Sequence, residues 1–229
     1  MLILSHRGYQ DRKTTENTLE GFVRAVGSKA DGIEFDLRVS RDGEIVVVHD
    51  ENLHRIAGDA RRVRDLTVDE LQEVVLRGSG HIPTLNDVTA AIPAPKILDM
   101  EIKDSDALRP LIAKLKTSTA LRERTVVSSF VIDDLLRIRK EVPDVRTISL
   151  NRNWPLLFRG KAFWSRLKAA DMWAVGFPAS ILNARRIAWL HRQGWKVAAW
   201  DLQPLKREAR RVGRLRPDVA IVFRVDSCA

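Results

Sequence analysis

The chain has 229 residues, 45% hydrophobic and 30% charged, enough for one large domain or two small ones of ordinary globular composition. No run of about 18 apolar residues appears, which excludes a spanning helix, and a single cysteine, Cys228, excludes an internal disulfide and a cysteine metal cluster. The net charge of +9, carried by 28 Arg against 11 Lys, attracts anions such as phosphates, anionic lipid or nucleic acid, although a solvated basic surface is the plainer reading.

Leu2 to Ser5 reads as a short strand running straight into His6-Arg7-Gly8. The apolar part of MLILSHRG is too short for a signal peptide and has no leading basic stretch, so a cytoplasmic protein is expected. Asp11 to Thr15 reads as a polar loop, with Asn17 placed to cap a helix through Leu19, Phe22, Val23 and Val26 and Glu20 able to reach back to it. Ile33 to Asp50, IEFDLRVSRDGEIVVVHD, then reads as strand, turn and strand. Glu34 and Asp36, two apart on a strand, share a face. They would repel unless a cation sits between them. The turn through Asp42-Gly43 leads into Ile45 to Val48, which delivers His49 and Asp50.

Leu53 to His81 reads as irregular and basic, with a helical pattern around Val68 to Leu76, followed by a helix over Leu85 to Ile92. Lys96 to Ile102, KILDMEI, is the next strand and puts Asp99, Glu101 and Lys103 on one face. A helix through Leu108, Leu111, Ile112 and Leu115 follows, then a strand over Thr125 to Ser129 and a helix through Leu135, Leu136 and Ile138. Strands are expected over Val145 to Leu150 and Met172 to Gly176, a helix over Ile181 to Gln193, and a strand over Trp195 to Trp200. Pro204 to Arg214 reads as a helix and Asp218 to Phe223 as the last strand. Strand and helix thus alternate about eight times, which argues for a closed α/β (β/α)8 barrel, with a doubly wound open sheet as the alternative. No linker interrupts the pattern, so 1–229 is expected to form a single domain with a short insertion at about 52–83.

In such barrels reactive groups gather at the C-terminal ends of the strands. His6 and Arg7 end the first strand, Glu34 and Asp36 the second, and Glu101 and Lys103 the third barrel strand, so their ends should meet on one side of the mouth. Three carboxylates at one point make an oxygen-rich site suited to Mg²⁺ or Ca²⁺. Arg7 and Lys103 beside it favour an anion, most simply phosphate, and His6 and His49 can exchange protons near neutral pH.

These motifs carry a resemblance. HRG, ENT, the E-x-D of GIEFDLR, the DG-x-x-V-V-x-HD run, L-x-R at Leu53 to Arg55, I-P-T-L at Ile82 to Leu85 and E-x-K at Glu101 to Lys103 stand in order and together resemble the glycerophosphodiester phosphodiesterase family. The resemblance implies a TIM barrel of the phospholipase C-like phosphodiesterase type. It also implies an enzyme of lipid and glycerol metabolism that uses Mg²⁺ or Ca²⁺ to hydrolyse glycerophosphodiesters to sn-glycerol 3-phosphate and an alcohol. Carried over residue by residue, it makes His6 and His49 the acid/base pair, Glu34, Asp36 and Glu101 the metal ligands, and Arg7 and Lys103 the phosphate contacts. In the second half SSF at Ser128 to Phe130 and G-x-x-V-x-x-W at Gly194 to Trp200 are also similar. The chain departs where the family usually has Thr-Val-Asn after the tryptophan, with Asp201-Leu202-Gln203. It departs again at the end of the last strand, where Phe223-Arg224-Val225-Asp226 stands for Thr-Asp-x-Pro. Both departures bear on substrate identity.

Asn151 to Lys168 has aromatic residues, five basic residues and no acid. That suits an interfacial segment making peripheral contact with the anionic inner face of a membrane; a loop with its aromatics in the core is the alternative. The expected partners are therefore a small glycerophosphodiester or, with lysophospholipase D-type activity, a membrane lysophospholipid. A non-catalytic phosphate-binding barrel is the remaining alternative. Lys206 to Arg216 holds six basic residues and one acid, but no nucleic-acid motif accompanies it, so nucleic acid is not expected as a partner.

Overall fold

The computed structural model describes residues 1–154, 157–202, 211 and 213–223. Its strands are β1 (Leu2–His6), β2 (Gly32–Val39), β3 (Ile45–Val47), β4 (Ile97–Ile102), β5 (Thr125–Ser129), β6 (Arg146–Leu150), β7 (Ala174–Pro178), β8 (Lys196–Leu202) and β9 (Val219–Val222). Around the sheet the order is β1-β2-β4-β5-β6-β7-β8-β9, every neighbour is parallel, and β9 pairs back onto β1. Closure excludes the open doubly wound sheet, which would leave the two outermost strands of the sheet with unpaired edges. β3 lies outside the ring, antiparallel to β2, with Val47 opposite Leu37.

Strand alternation sorts the side chains into two layers. Ile33, Phe35 and Leu37 of β2, Leu98, Met100 and Ile102 of β4, and Val175 and Phe177 of β7 point outward into the main core beneath the helices. The barrel interior holds a smaller set, among them Leu4, Val126, Ile148, Leu150, Ala198 and Ile221. On β2, β4 and β5 the inward positions carry Glu34, Asp36, Asp99, Glu101 and Ser128 instead, all buried. One side of the barrel interior is thus apolar and the other acidic.

The helices are α1 (Leu19–Val26), α2 (His54–Ala57), α3 (Val68–Gln72), α4 (Leu85–Ala91), α5 (Leu108–Thr117), α6 (Thr119–Arg124), α7 (Ile132–Glu141), α8 (Leu157–Ala169) and α9 (Ala184–Arg192). Reciprocal capping boxes start α3, from Thr67 and Glu70, and α4, from Thr84 and Asp87. The cap of α1 is Thr18, whose hydroxyl accepts from the Gly21 amide at 3.3 Å, and not Asn17. Asn17 cannot serve, because its backbone is left-handed at φ +56° and its side chain is turned toward the barrel. α6 was not expected; Ser118 caps it by accepting from Leu121 at 3.2 Å. The stretch after β3 holds α2 and α3 and closes over its own apolar cluster, including Leu53, Ile56, Val63, Leu66, Leu71 and Ile82.

The segment around α8 turns its described aromatics inward. Trp154 lies 5.0 Å from Phe177, and Trp164 lies 5.1 Å from both Trp189 and Trp195. Phe163 packs on the same core. Trp154, Phe163 and Trp164 are thus taken up by the core and not by a lipid-facing surface; Leu156 and the side chains of Leu157 and Phe158 lie outside the described residues. The helix expected over Pro204 to Arg214 and the basic run Lys206 to Arg216 lie largely outside them as well. Among the described residues no helix is long and apolar enough to cross a membrane.

Gly32 starts β2 where it passes closest to β4: a Cβ there would sit 2.1 Å from the Ile97 carbonyl oxygen. Backbone on both sides cannot yield without opening the ladder. Gly32→Ala is therefore expected to cost about 2–3 kcal/mol, read as a lower denaturant midpoint in equilibrium unfolding.

Candidate active site

Strand register brings the expected residues together. His6 of β1 lies beside Glu34 of β2, and Asp36 beside Glu101 of β4, so adjacent strand ends present imidazole and carboxylates to one mouth. Arg7 follows directly, held by its amide on the Glu34 carbonyl at 2.8 Å and on Glu34 Oε2 at 3.2 Å. His49 arrives from the outer hairpin, with Arg38 Nε donating to its carbonyl at 2.9 Å. His6, Arg7, Glu34, His49, Glu101 and Lys103 line one cavity of about 180 Å³, with Asp36 buried beneath them. Asp99 lies one step deeper, opposite Glu34 in the ladder, with both oxygens buried and outside hydrogen-bond geometry among the described residues.

Charge in this cluster is tightly linked. Asp36 is fully buried. Its Oδ2 accepts from Asn17 Nδ2 at 2.8 Å and lies 3.1 Å from Arg7 Nε; its Oδ1 lies 3.2 Å from Lys103 Nζ. Lys103 also donates to Glu101. Arg7 Nη1 reaches Glu16 at 3.0 Å, Glu16 accepts from Arg55 at 2.6 Å, and Arg55 Nε meets Asp50 at 2.6 Å. Asp50 in turn lies 2.6 Å from His49 Nδ1. A single chain of hydrogen bonds and ion pairs therefore runs from His49 to Glu101.

Two residues that touch Asp36, Arg7 and Asn17, both hold left-handed backbone at φ +56°. Such residues cost of order 1–3 kcal/mol each and persist only where their surroundings enforce them. Here the Asn17 amide donates to the Arg7 carbonyl at 2.9 Å, locking the two turns to each other.

Burial and neighbours set the protonation states. Burial, reinforced by Arg7, pushes His6 down to about 3, so its imidazole is neutral at pH 7. His49 is also lowered by burial, opposed by Asp36 and Asp50. Asp50 is an anion, since Arg55 and His49 outweigh its burial, so His49 Nδ1–H is the donor of that pair. Burial raises Asp36, but Arg7 and Lys103 outweigh it and hold the carboxyl below its ordinary value. Glu34 is less well compensated: burial first, then Asp36, Glu101 and Asp99, push it well up against Arg7. Glu101 rises to about 7 through burial and Asp36, and Asp99 to about 7 chiefly through burial.

Oxygen atoms of Glu34, Asp36 and Glu101 lie within 4.8 Å of one another, and all three residues are buried. Glu34 Oε1 is buried with no hydrogen-bond partner among the described residues. An all-oxygen donor set with an orphaned carboxylate oxygen fits a hard divalent cation.

The opposite wall of the mouth is formed by Phe130, Leu150, Arg152, Trp200, Asp201, Ile221 and Phe223. Trp200 thus faces the cavity. Of the two departures near the mouth, Asp201 and Phe223 stand on this wall, while Gln203 and Arg224 to Asp226 lie outside the described residues. His54 and His81 are exposed, and His191 pairs with Asp218 at 2.8 Å away from the mouth. The sequence offers Asn17 only as a helix cap, and Glu16 and Arg55 only as members of the ENT and L-x-R motifs. The structure makes Glu16 and Arg55 links in the charge chain and Asn17 a donor to its centre, Asp36. Their presence in the ENT and L-x-R motifs was the available signal; their partners, 19 and 39 residues away, were not readable.

The chain matches the family described as Glycerophosphoryl diester phosphodiesterase over residues 6–221. A glycerophosphodiester phosphodiesterase of Caldanaerobacter subterraneus subsp. tengcongensis is 31% identical over 180 residues, covering 71% of this chain and 73% of that relative. The crystal structure of a glycerophosphodiester phosphodiesterase from Thermotoga maritima superposes with a TM-score of 0.79 at 27% identity, covering 97% of this chain and 94% of that one. An Oleispira antarctica phosphodiesterase, solved in complex with the product sn-glycerol-3-phosphate, shares the fold at TM-score 0.83 and 20% identity over 97% of this chain and 93% of that one.

The raised carboxyls make two expectations. A carboxyl whose folded pKa is about 7 contributes stability at pH values below its unfolded pKa, and loses it as pH rises through 7. Metal-free protein should therefore melt higher as Glu34→Gln or Glu101→Gln, by a few degrees at pH 8. Millimolar Mg²⁺ or Ca²⁺ should raise the melting temperature of the unsubstituted chain more at pH 8 than at pH 5.5, and that gain should vanish in either variant. Differential scanning fluorimetry across pH reads both.

Proposed function

The chain belongs to the glycerophosphoryl diester phosphodiesterase family, and on that footing we propose that residues 1–229 act as one barrel domain that hydrolyses glycerophosphodiesters to sn-glycerol 3-phosphate and an alcohol. The observation that carries this reading is the placement of two imidazoles and two cations around three buried carboxylates at one mouth. Glu34, Asp36 and Glu101 would hold Mg²⁺ or Ca²⁺, which would supply neutralisation of phosphate charge and polarisation of the phosphoryl group. Arg7 and Lys103, fixed by Asp36, direct their remaining donors at the phosphate oxygens.

The histidines differ in a way that divides the work. His6 is buried beside Arg7 and held neutral, which suits it to take a proton from the attacking water. Burial lowers the His49 pKa while Asp36 and Asp50 oppose that, and the imidazolium form, its Nδ1–H held by the Asp50 anion, gives its Nε2 proton to the departing alcohol oxygen. The water oxygen bonds to phosphorus as the phosphorus–alkoxide bond breaks, and proton gain at His6 balances proton loss at His49. With Trp154, Phe163 and Trp164 packed on the barrel, a soluble deacylated diester in the cytoplasm is the substrate we favour over a membrane lysolipid. Peripheral contact of residues 151–168 with anionic membrane then rests on their basic side chains.

The test is cleavage of glycerophosphocholine, glycerophosphoethanolamine, glycerophosphoglycerol and a lysophospholipid, each with Mg²⁺, Ca²⁺ or EDTA. His6→Ala and His49→Ala should each lower kcat/KM by about 10²–10⁴-fold. Asp50→Asn removes a group that raises the His49 pKa, so the alkaline limb of the pH–rate profile should move to lower pH. Metal-independent cleavage, or activity indifferent to both histidines, would sink the mechanism.

A further inference from the structure

The cations around the mouth are not equivalent. Arg7 and Lys103 are both paired with carboxylates, Arg7 with Asp36 and Glu16, and Lys103 with Asp36 and Glu101, and their remaining donors are assigned to the scissile phosphate. Arg152, which follows the end of β6, lines the same cavity from the opposite wall and pairs with no carboxylate among the described residues. Its guanidinium lies over the Phe130 ring, 4.6 Å from the centroid. That stack orients the planar fork without neutralising it. Phe130 is also braced edge-on by Trp200, at 5.5 Å and 88°.

Two further features give this wall a sign. The Trp200 indole Nε1 is buried and has no acceptor among the described residues, so it offers a donor and nothing else. The acid on the wall, Asp201, already has an interaction of its own. Phe130, Trp200 and Phe223 would otherwise make an aromatic surface of the kind that attracts a quaternary ammonium, but Arg152 occupies the Phe130 face. A second cation brought to that ring would meet like charge. A group with acceptor oxygens and negative charge would meet a bidentate donor and an unpaired indole N–H.

We propose that Arg152 is the specificity-determining residue of this mouth, and that it selects glycerophosphodiesters whose alcohol half carries an anionic group. The inference rests on the diesterase reading above and names its substrate class. Arg152 is exposed and outside the ion-pair chain, so its replacement leaves the carboxylate cluster intact.

Three diesters sharing the glycerol 3-phosphate half test it: bis(glycerophospho)glycerol, whose alcohol carries a second phosphodiester; glycerophosphoglycerol, with a neutral alcohol; and glycerophosphocholine, with a cationic one. The unsubstituted enzyme should cleave them in that order of kcat/KM. Arg152→Ala should lose about tenfold or more on the first, since a charge-assisted contact is removed, and change less than about twofold on the second. Arg152→Lys should recover part of the loss, and Arg152→Glu should favour the choline diester. An equal loss on all three would mean that Arg152 touches the shared half, and no loss on any would mean that it touches neither; both overturn the proposal. An unsubstituted protein that cleaves none of the three overturns the diesterase reading itself. Titration calorimetry with the same diesters then decides the inference, which requires tightest binding of the anionic one and loss of that preference in Arg152→Ala.

Discussion

A carboxylate with no solvent exposure, Asp36, sets the terms for the surrounding structure. Burying an unpaired carboxylate costs several kcal/mol, so its oxygens must be matched by donors and opposite charge. Arg7, Asn17 and Lys103 supply them from three different segments. Two of those residues accept left-handed backbone to reach it. The first loop, the start of α1 and the end of β4 are thereby tied to one atom pair on β2, and the further pairs through Glu16, Arg55 and Asp50 extend the tie to His49.

The same cluster is deliberately unbalanced. Asp36 is compensated, whereas Glu34 and Glu101 carry raised pKa values because burial and mutual repulsion act on them with little relief. The cost in stability is what a buried all-oxygen cluster carries, and a divalent cation placed there, as proposed above, would relieve it. The apolar side of the barrel, from Leu4 through Ile148 and Ala198 to Ile221, makes this tolerable by supplying a rigid, well-packed frame. Pairing between β2 and β4 sets the carboxylate spacing, since Glu34 and Asp36 come from one strand and Glu101 from its neighbour.

The mouth divides along the barrel circumference. β1, β2 and β4 bring the charged chemistry, and β5, β6, β8 and β9 bring Phe130, Leu150, Trp200 and Ile221 to the facing wall. The chain's departures from the usual family pattern fall on that second side, at Asp201 and Phe223, and Arg152 lies among them. In the mechanism and specificity proposed above, reaction type and substrate choice are carried by different strands, so that one can vary while the other is kept.

Local rules were enough to reveal much of this in the sequence. Period-two alternation placed Glu34 with Asp36 and Glu101 with Lys103, and alternation of strand and helix argued for a parallel barrel, because these patterns depend on residues a few positions apart. Motif order then singled out His6, Arg7 and His49. Tertiary structure alone decided what depends on distant partners: closure through β1 and β9, Thr18 in place of Asn17 as the cap, and the inward turn of Trp154, Phe163 and Trp164. It also decided the ion-pair chain, whose links join residues up to 39 positions apart, and the stacking of Arg152 on Phe130. Composition could count those charges and rings, but their energies depend on which neighbour each one meets after folding.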